Sequence, residues 1–287
     1  MTRSTVPFLT HTDTYAISVK AFLLLFAMAF TPLAKAELVW HWQDPFDAAD
    51  KQKLTKWIDR TVTAVEQQVG PYPFDVHIYF YRRAGRGQPV PWANTRRGRV
   101  QGVNFYVDPS FSLQDFLRDW TAPHELSHLL IPYLGRRNAW FAEGFASFMQ
   151  YQVMQQMSVL TEEQALARYR VRIEKAAREY RESTQPFALA APKLQRRRQY
   201  PTMYWGGAVY FLQADRLLRQ RDDSLQRVLA RYTSCCRTQT RGLDQLVAQL
   251  DRISTSTLFS NLLRDNRSQQ GFPRFQNLFP ATETAQF

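Results

Sequence analysis

The spacing of apolar positions divides the chain into a short mixed segment and a long helical one. In residues 46–69, Leu54, Ile58, Val62 and Val65 recur at helical intervals, and Gly70-Pro71 stops the run. Residues 75–81 (DVHIYFY) are β-branched and aromatic and predict a strand. Residues 99–107 (RVQGVNFYV) predict a second, ended by Asp108-Pro109. Between them, residues 82–97 predict a basic loop rich in Gly and Pro. From Ser112 onward the pattern turns helical, over 112–119, 121–134, 138–157, 161–182, 202–220, 222–234, 241–251 and 255–264. Residues 184–201 predict a long basic connection containing proline. The expected class is α+β: a small N-terminal β-sheet segment, then a mostly helical part.

The first forty residues change the picture of where the protein works. Residues 21–30 (AFLLLFAMAF) are all apolar, Lys20 precedes them, and Ala34-Lys35-Ala36 follows. A basic start, a short apolar run and an A-x-A site are the parts of a secretory signal. The apolar run falls well short of the ~20 residues that span a bilayer. The expected organisation is a signal peptide over 1–36, an N-terminal α/β segment over 37–111 and a helical segment over 112–287, with 37–287 as one compact unit. Export to the periplasm or the extracellular space follows, with no transmembrane helix in the mature chain. An uncleaved signal anchor is the alternative.

Apolar residues make up 45% of the 287, enough for a sizeable core and too many for global disorder. The formal charge is +12, and cleavage after Ala36 removes three cations and one anion to leave +10. A basic exported protein meets anionic envelope surfaces or acidic substrates, and export makes nucleic acid a poor match. The Arg-rich clusters, Arg82-Arg83, Arg96-Arg97-Arg99, Arg136-Arg137 and Arg196-Arg197-Arg198, fall in or beside predicted loops. They read either as solvated surface or as a field that draws anionic substrates. The two cysteines, Cys235 and Cys236, are adjacent. Their Cα atoms must sit ~3.8 Å apart, below the usual ~4.4–6.8 Å of a disulfide, so a vicinal disulfide and a free or intermolecular pair both stay open.

The chemistry concentrates in His124-Glu125-Leu126-Ser127-His128. Positions i and i+4 of a helix share one face, so two imidazoles there can converge on one metal ion. Zinc suits imidazole and carboxylate donors, and a catalytic site keeps three protein ligands plus water. Glu125 can act as general base on that water. Thr121 is placed to cap the helix and Pro123 falls in its first turn. The third ligand comes from Trp140-Phe141-Ala142-Glu143-Gly144-Phe145-Ala146, with Glu143 15 positions past His128. Residues 132–138 can end one helix and begin the next, so that Glu143 returns to the same metal. A carboxylate among Trp and Phe is costly to bury without a partner, and a metal supplies one.

HELSH followed by WFAEGFA resembles the gluzincin metallopeptidases, and its spacing is nearest to the compact peptidase MA-like proteins. The likeness covers residues 115–215 or so. It implies a zincin-like fold, one Zn2+ per chain, and hydrolysis of a peptide or protein substrate. It also implies a tyrosine whose hydroxyl stabilises the oxyanion, in a Tyr-x-x-Gly run. Tyr204-Trp205-Gly206-Gly207 stands in the matching place, with Tyr200 as the substitute. The two glycines would let that helix approach the site closely. Aminopeptidases of this kind carry a Gly-x-Met-Glu-Asn run on the edge strand before HExxH, whose Glu holds the free amine. The corresponding region here, residues 101–105, has no acid, and Asp108 is the nearest. Endopeptidase action is therefore expected over aminopeptidase action. Some relatives place an acid one turn past the glutamate ligand to orient a histidine; Ser147 stands there, and Asp119 is the substitute. The rival reading is a non-catalytic zinc-binding envelope scaffold or adaptor with a basic surface.

Overall fold

The computed structural model describes residues 36–279 together with Met1 and Thr2, so the expected signal peptide falls almost wholly outside the described residues. Strand β1 (Leu38–Trp42) leads through helix α1 (Ala48–Val69) to strand β2 (Val76–Arg82), which pairs parallel with it. Asp47 caps α1 by accepting from the backbone N–H of Asp50. Strand β4 (Gln101–Val107) pairs parallel with β2, and β3 (Trp92–Arg96) closes the sheet antiparallel to β4. The order is β1-β2-β4-β3.

Alternation along the strands decides which face is covered. Val76, Ile78 and Phe80 of β2 and Val103, Phe105 and Val107 of β4 are buried, and Trp57 of α1 packs on Phe80 and Phe105. The opposite face carries His77, Tyr79, Asn104 and Tyr106, all half-buried.

The helical part follows as α2 (Leu113–Arg118), α3 (Thr121–His128), α4 (Ala139–Gln156), α5 (Glu162–Glu179), α6 (Phe187–Arg196) and α7 (Tyr200–Arg219). Then come α8 (Leu225–Cys235), α9 (Leu243–Ile253) and α10 (Leu258–Ser268). Phe141, Phe145 and Phe148 of α4 are fully buried, and each such side chain stabilises by roughly 1.5–3 kcal/mol. Helices α4 and α7 meet through glycine. A Cβ on Gly207 would lie 2.0 Å from the Trp140 carbonyl oxygen, and one on Gly144 would lie 2.2 Å from the Gly207 carbonyl carbon. This backbone-to-backbone approach brings the side chains of Glu143 and Tyr204 into one site.

Four elements depart from the sequence expectation. Residues 38–42 and 92–96 are strands, and most of the expected 184–201 connection is α6, with Pro192 inside it. The helix expected over 121–134 ends at His128, followed by tight turns to Ile131. Cys235 and Cys236 are joined as a vicinal disulfide. Among the described residues, no helix is long and apolar enough to cross a membrane.

Candidate active site

Helix α3 is fixed at both ends. At its start, Asp119 accepts from the backbone N–H of Thr121 at 2.8 Å. Trp120 holds the N-cap position and Thr121 is the first helical residue, so Thr121 does not cap the helix; the side-chain bonds of Asp119 go to Thr121 and not to a histidine. Pro123 sits in the first turn, where its missing N–H costs little. At the far end the last carbonyls meet side-chain donors. Arg97 donates to His128 and, at 3.1 Å, to Ile131; Arg237 donates to Leu129 at 2.8 Å; the Tyr72 hydroxyl donates to Leu126 at 3.0 Å. Cations at a helix C-terminus also oppose its partial negative charge. Burial, followed by the charge of Arg237, brings the Arg97 guanidinium down to about 10, and Glu125 opposes the shift. Arg97 therefore stays charged at neutral pH.

His124 and His128 project from one face of α3, with ring centroids 4.8 Å apart and planes nearly perpendicular. Both are buried. Glu143 reaches them from α4: its Oε2 lies 3.2 Å from His124 Nε2 and 3.5 Å from His128 Nε2. The ligand atoms of the three residues all lie within 4.8 Å of one another. Two donors each ~2.0–2.1 Å from a tetrahedral ion stand about 3.3 Å apart, and the two distances from Glu143 fall on either side of that value. The donor set and its spacing fit zinc. Burial works against a charge on Glu143, but His128 and His124 outweigh it and hold the carboxyl far below its ordinary range. Burial likewise disfavours protonated His124, yet Glu143, then Glu125 and Gln150, raise its pKa.

Gln150 is the contact that sequence reasoning missed. Its Oε1 lies 3.0 Å from His124 Nδ1. An amide oxygen can only accept, so Nδ1 carries the proton toward Gln150, which would leave the Nε2 lone pair free to ligate a metal ion held between it and Glu143. Gln150 follows Glu143 by seven positions on the same helix. The i, i+4, i+7 stripe of Glu143, Ser147 and Gln150 was the available signal, and an amide served where an acid was sought.

Glu125 borders the same cleft as Glu143, His128 and Tyr204. Its burial raises the carboxyl above the ordinary range, against the pull of His128 and His124. Tyr204 lies over His124, with centroids 5.9 Å apart. Burial, followed by Glu143 and Glu125, pushes its phenol far above the ordinary value, so the O–H is retained. Tyr200 is 41% exposed and borders Tyr204 rather than the cleft. Of the two glycines after it, Gly207 faces α4 and Gly206 faces Phe187 and Phe272.

The cleft holds about 310 Å³. Its outer wall is the sheet edge, which is β3; the expected edge, residues 101–105, is the interior strand β4. Trp92, Asn94 and Thr95 of β3 border the cleft, so the strand beside the site carries no acid. Asp108 is engaged elsewhere, accepting from Ser110 and from the Gly85 N–H. A wider groove of about 930 Å³ between β1 and α1, bordered by Trp40, Trp42 and Lys51, lies apart from these residues.

The fold and the donor cluster together define the class: an HExxH helix set against a small sheet and a second helix that brings a glutamate. No family model matches the chain, and no curated protein matches it. Solved structures do. A two-domain M1 zinc metallopeptidase variant bound to L-arginine superposes with a TM-score of 0.53 at 14% identity, over 81% of this chain and 48% of that one. The M1 zinc metallopeptidase from Deinococcus radiodurans gives 0.52 at 14% identity, over 81% and 48%. A variant of the Deinococcus radiodurans enzyme with a Tyr-Ser-Ala substrate gives 0.52 at 13% identity, over 81% and 49%. The chain spans about half the length of these structures. The likeness is one of fold: the chain has a zincin-like α+β fold, with a four-stranded N-terminal sheet and a mostly helical remainder.

Proposed function

We propose that the protein is a zinc-dependent metallopeptidase that hydrolyses peptide bonds, with His124, His128 and Glu143 as ligands of one zinc per chain. The observation that carries the reading is the placing of Glu143 Oε2 at 3.2 and 3.5 Å from the two imidazole nitrogens, inside a cleft that also holds Glu125 and Tyr204. A zinc ion bound there would polarise the scissile carbonyl and lower the pKa of water to about 7. Glu125 then takes a proton from the attacking water and passes it to the leaving amine. Tyr204, protonated at neutral pH, donates to the oxygen on which charge develops. Gln150 holds His124 in the tautomer that leaves Nε2 free.

Three further features support the finer reading. The amino-acid and tripeptide ligands of the structural neighbours point to a peptide-like substrate for this cleft. The free edge of β3 can add an extended peptide as another strand. Residues 21–30 and the A-x-A at 34–36 favour an exported location, periplasmic or extracellular.

The test is Glu125→Gln, which keeps the shape of the side chain and removes the base. The variant should bind zinc as the wild type does and lose about 10²–10⁴-fold in peptide hydrolysis. Full zinc-dependent hydrolysis by the variant would remove Glu125 from the mechanism. A zinc-loaded wild type that cleaves no peptide would instead fit a non-catalytic scaffold.

A further inference from the structure

Charge is unevenly distributed around the cleft. Its only acidic groups among the described residues are Glu125 and Glu143, both beside the donor cluster. Its cations are Arg97 and Arg136, and neither pairs with a carboxylate among the described residues. The two arginines differ in their freedom. Arg97 is spent on the carbonyls of α3 and on Gln101 Oε1. Arg136 opens the turn after Gly135, is exposed, and borders the cleft beside Tyr133 and Gln195.

This distribution speaks against one kind of substrate end and for another. An α-ammonium in the cleft would face two guanidinium groups with no spare carboxylate to receive it. A carboxylate would meet a planar guanidinium that offers two parallel N–H donors. The neighbouring side chains, Asn94, Thr95 and Gln195, are neutral hydrogen-bonding groups and do not cancel that charge.

We infer that the cleft selects peptides carrying a carboxylate near the scissile bond, with Arg136 receiving that carboxylate, and that it needs no free N-terminus. This rests on the peptidase reading given above and adds the substrate class to it. The carboxylate can belong to an acidic side chain or to the peptide's own C-terminus, since the guanidinium meets the same group in both.

The experiment uses zinc-loaded protein and N-acetylated peptides, with cleavage positions mapped by mass spectrometry. Glu/Gln pairs differing at one position near the cleaved bond are then compared, each with a free and an amidated C-terminus. The acidic member of a pair, or the free C-terminus, should gain on the order of tenfold in kcat/KM, mostly through KM; tenfold corresponds to about 1.4 kcal/mol. In Arg136→Gln, with zinc content unchanged, that ratio should fall toward one, and Arg136→Glu should reverse it in favour of Lys peptides. Gain with Glu in amidated peptides assigns the site to an acidic side chain; gain only with the free C-terminus assigns it to the terminal carboxylate. Cleavage of neutral peptides with no acidic preference, a ratio that survives Arg136→Gln, or faster cleavage of peptides with a free amine would each overturn the inference while leaving the peptidase reading in place. Failure to cleave any peptide with zinc bound would overturn both.

Discussion

The two walls of the cleft are built on different principles. The inner wall, where α3, α4 and α7 meet, is packed to the point that only glycine fits at positions 144 and 207; its histidines are buried, and His124 meets Gln150 at one ring nitrogen and Glu143 at the other. The outer wall, made by β3, the turn at Arg136 and Gln195 of α6, is polar and largely open, with Trp92 58% exposed. Chemistry that must hold donor atoms within a few tenths of an ångström falls on the rigid wall. Recognition, which must admit and release a substrate, falls on the loose one. The contrast makes graded predictions.

The largest effect is expected from Gly207→Ala. Its Cβ would meet backbone, which cannot move aside as a side-chain tip can. Overpacking of this kind costs about 1–3 kcal/mol or more. Thermal denaturation should show a loss at the upper end of that range, with zinc affinity falling as α7 is pushed off α4. Arg97→Gln tests the support beneath the same wall. It takes a half-buried charged donor from the carbonyls of His128 and Ile131, worth about 1.5–3 kcal/mol for hydrogen bonds to a charged group. Chemical denaturation should report a loss of that size.

Gln150→Leu is gentler on the fold and sharper on the metal. It leaves His124 Nδ1 without its partner, and such supporting contacts are worth about 10–100-fold in metal affinity. Competition with a chelator should show that loss while the melting temperature moves little. An equal fall in stability would mean that Gln150 serves packing rather than the histidine.

The smallest effects belong to the outer wall. Glu182 accepts from Lys193 at 2.6 Å and Arg197 at 2.7 Å, anchoring the helix that carries Gln195 into the cleft. The hydrogen bond from Lys193, opposed by burial and aided by the two charges, holds the Glu182 carboxyl below its ordinary value. Its contribution is therefore complete above the unfolded-state carboxylate range and disappears as pH falls through the lower folded value. Glu182→Gln should flatten this acid limb slightly in a pH series of unfolding curves and leave neutral-pH hydrolysis nearly intact.

The same contrast explains what could be read from the sequence. The inner wall announces itself: HELSH, WFAEGFA and the paired glycines are constrained by chemistry and close packing; His124, His128 and Glu143 meet as their spacing implies, and Tyr204, which the family resemblance implies, borders the same cleft. Helix α1 and strands β2 and β4 carry clear apolar periods for the same reason, while α4 shows as a continuous apolar run because it is buried on nearly every side. Strand β3 carries none, because an edge strand facing solvent has no buried row to mark it; Trp-Ala-Asn-Thr-Arg reads as loop. Helix α6 hides behind Pro192 and its basic tail, and β1 is only five residues long. Arg97 reads as one more surface arginine until the fold lays it against the end of α3. Its role depends on contacts far apart in sequence, which no local pattern records.

The central claim is that three side chains on the inner wall hold one metal ion. Elemental analysis of the protein purified without chelator, beside His128→Ala, tests it most directly. The account predicts about one zinc per chain in the wild type, lost in the variant because a three-ligand site cannot spare an imidazole. No zinc in either protein, or equal zinc in both, would contradict it.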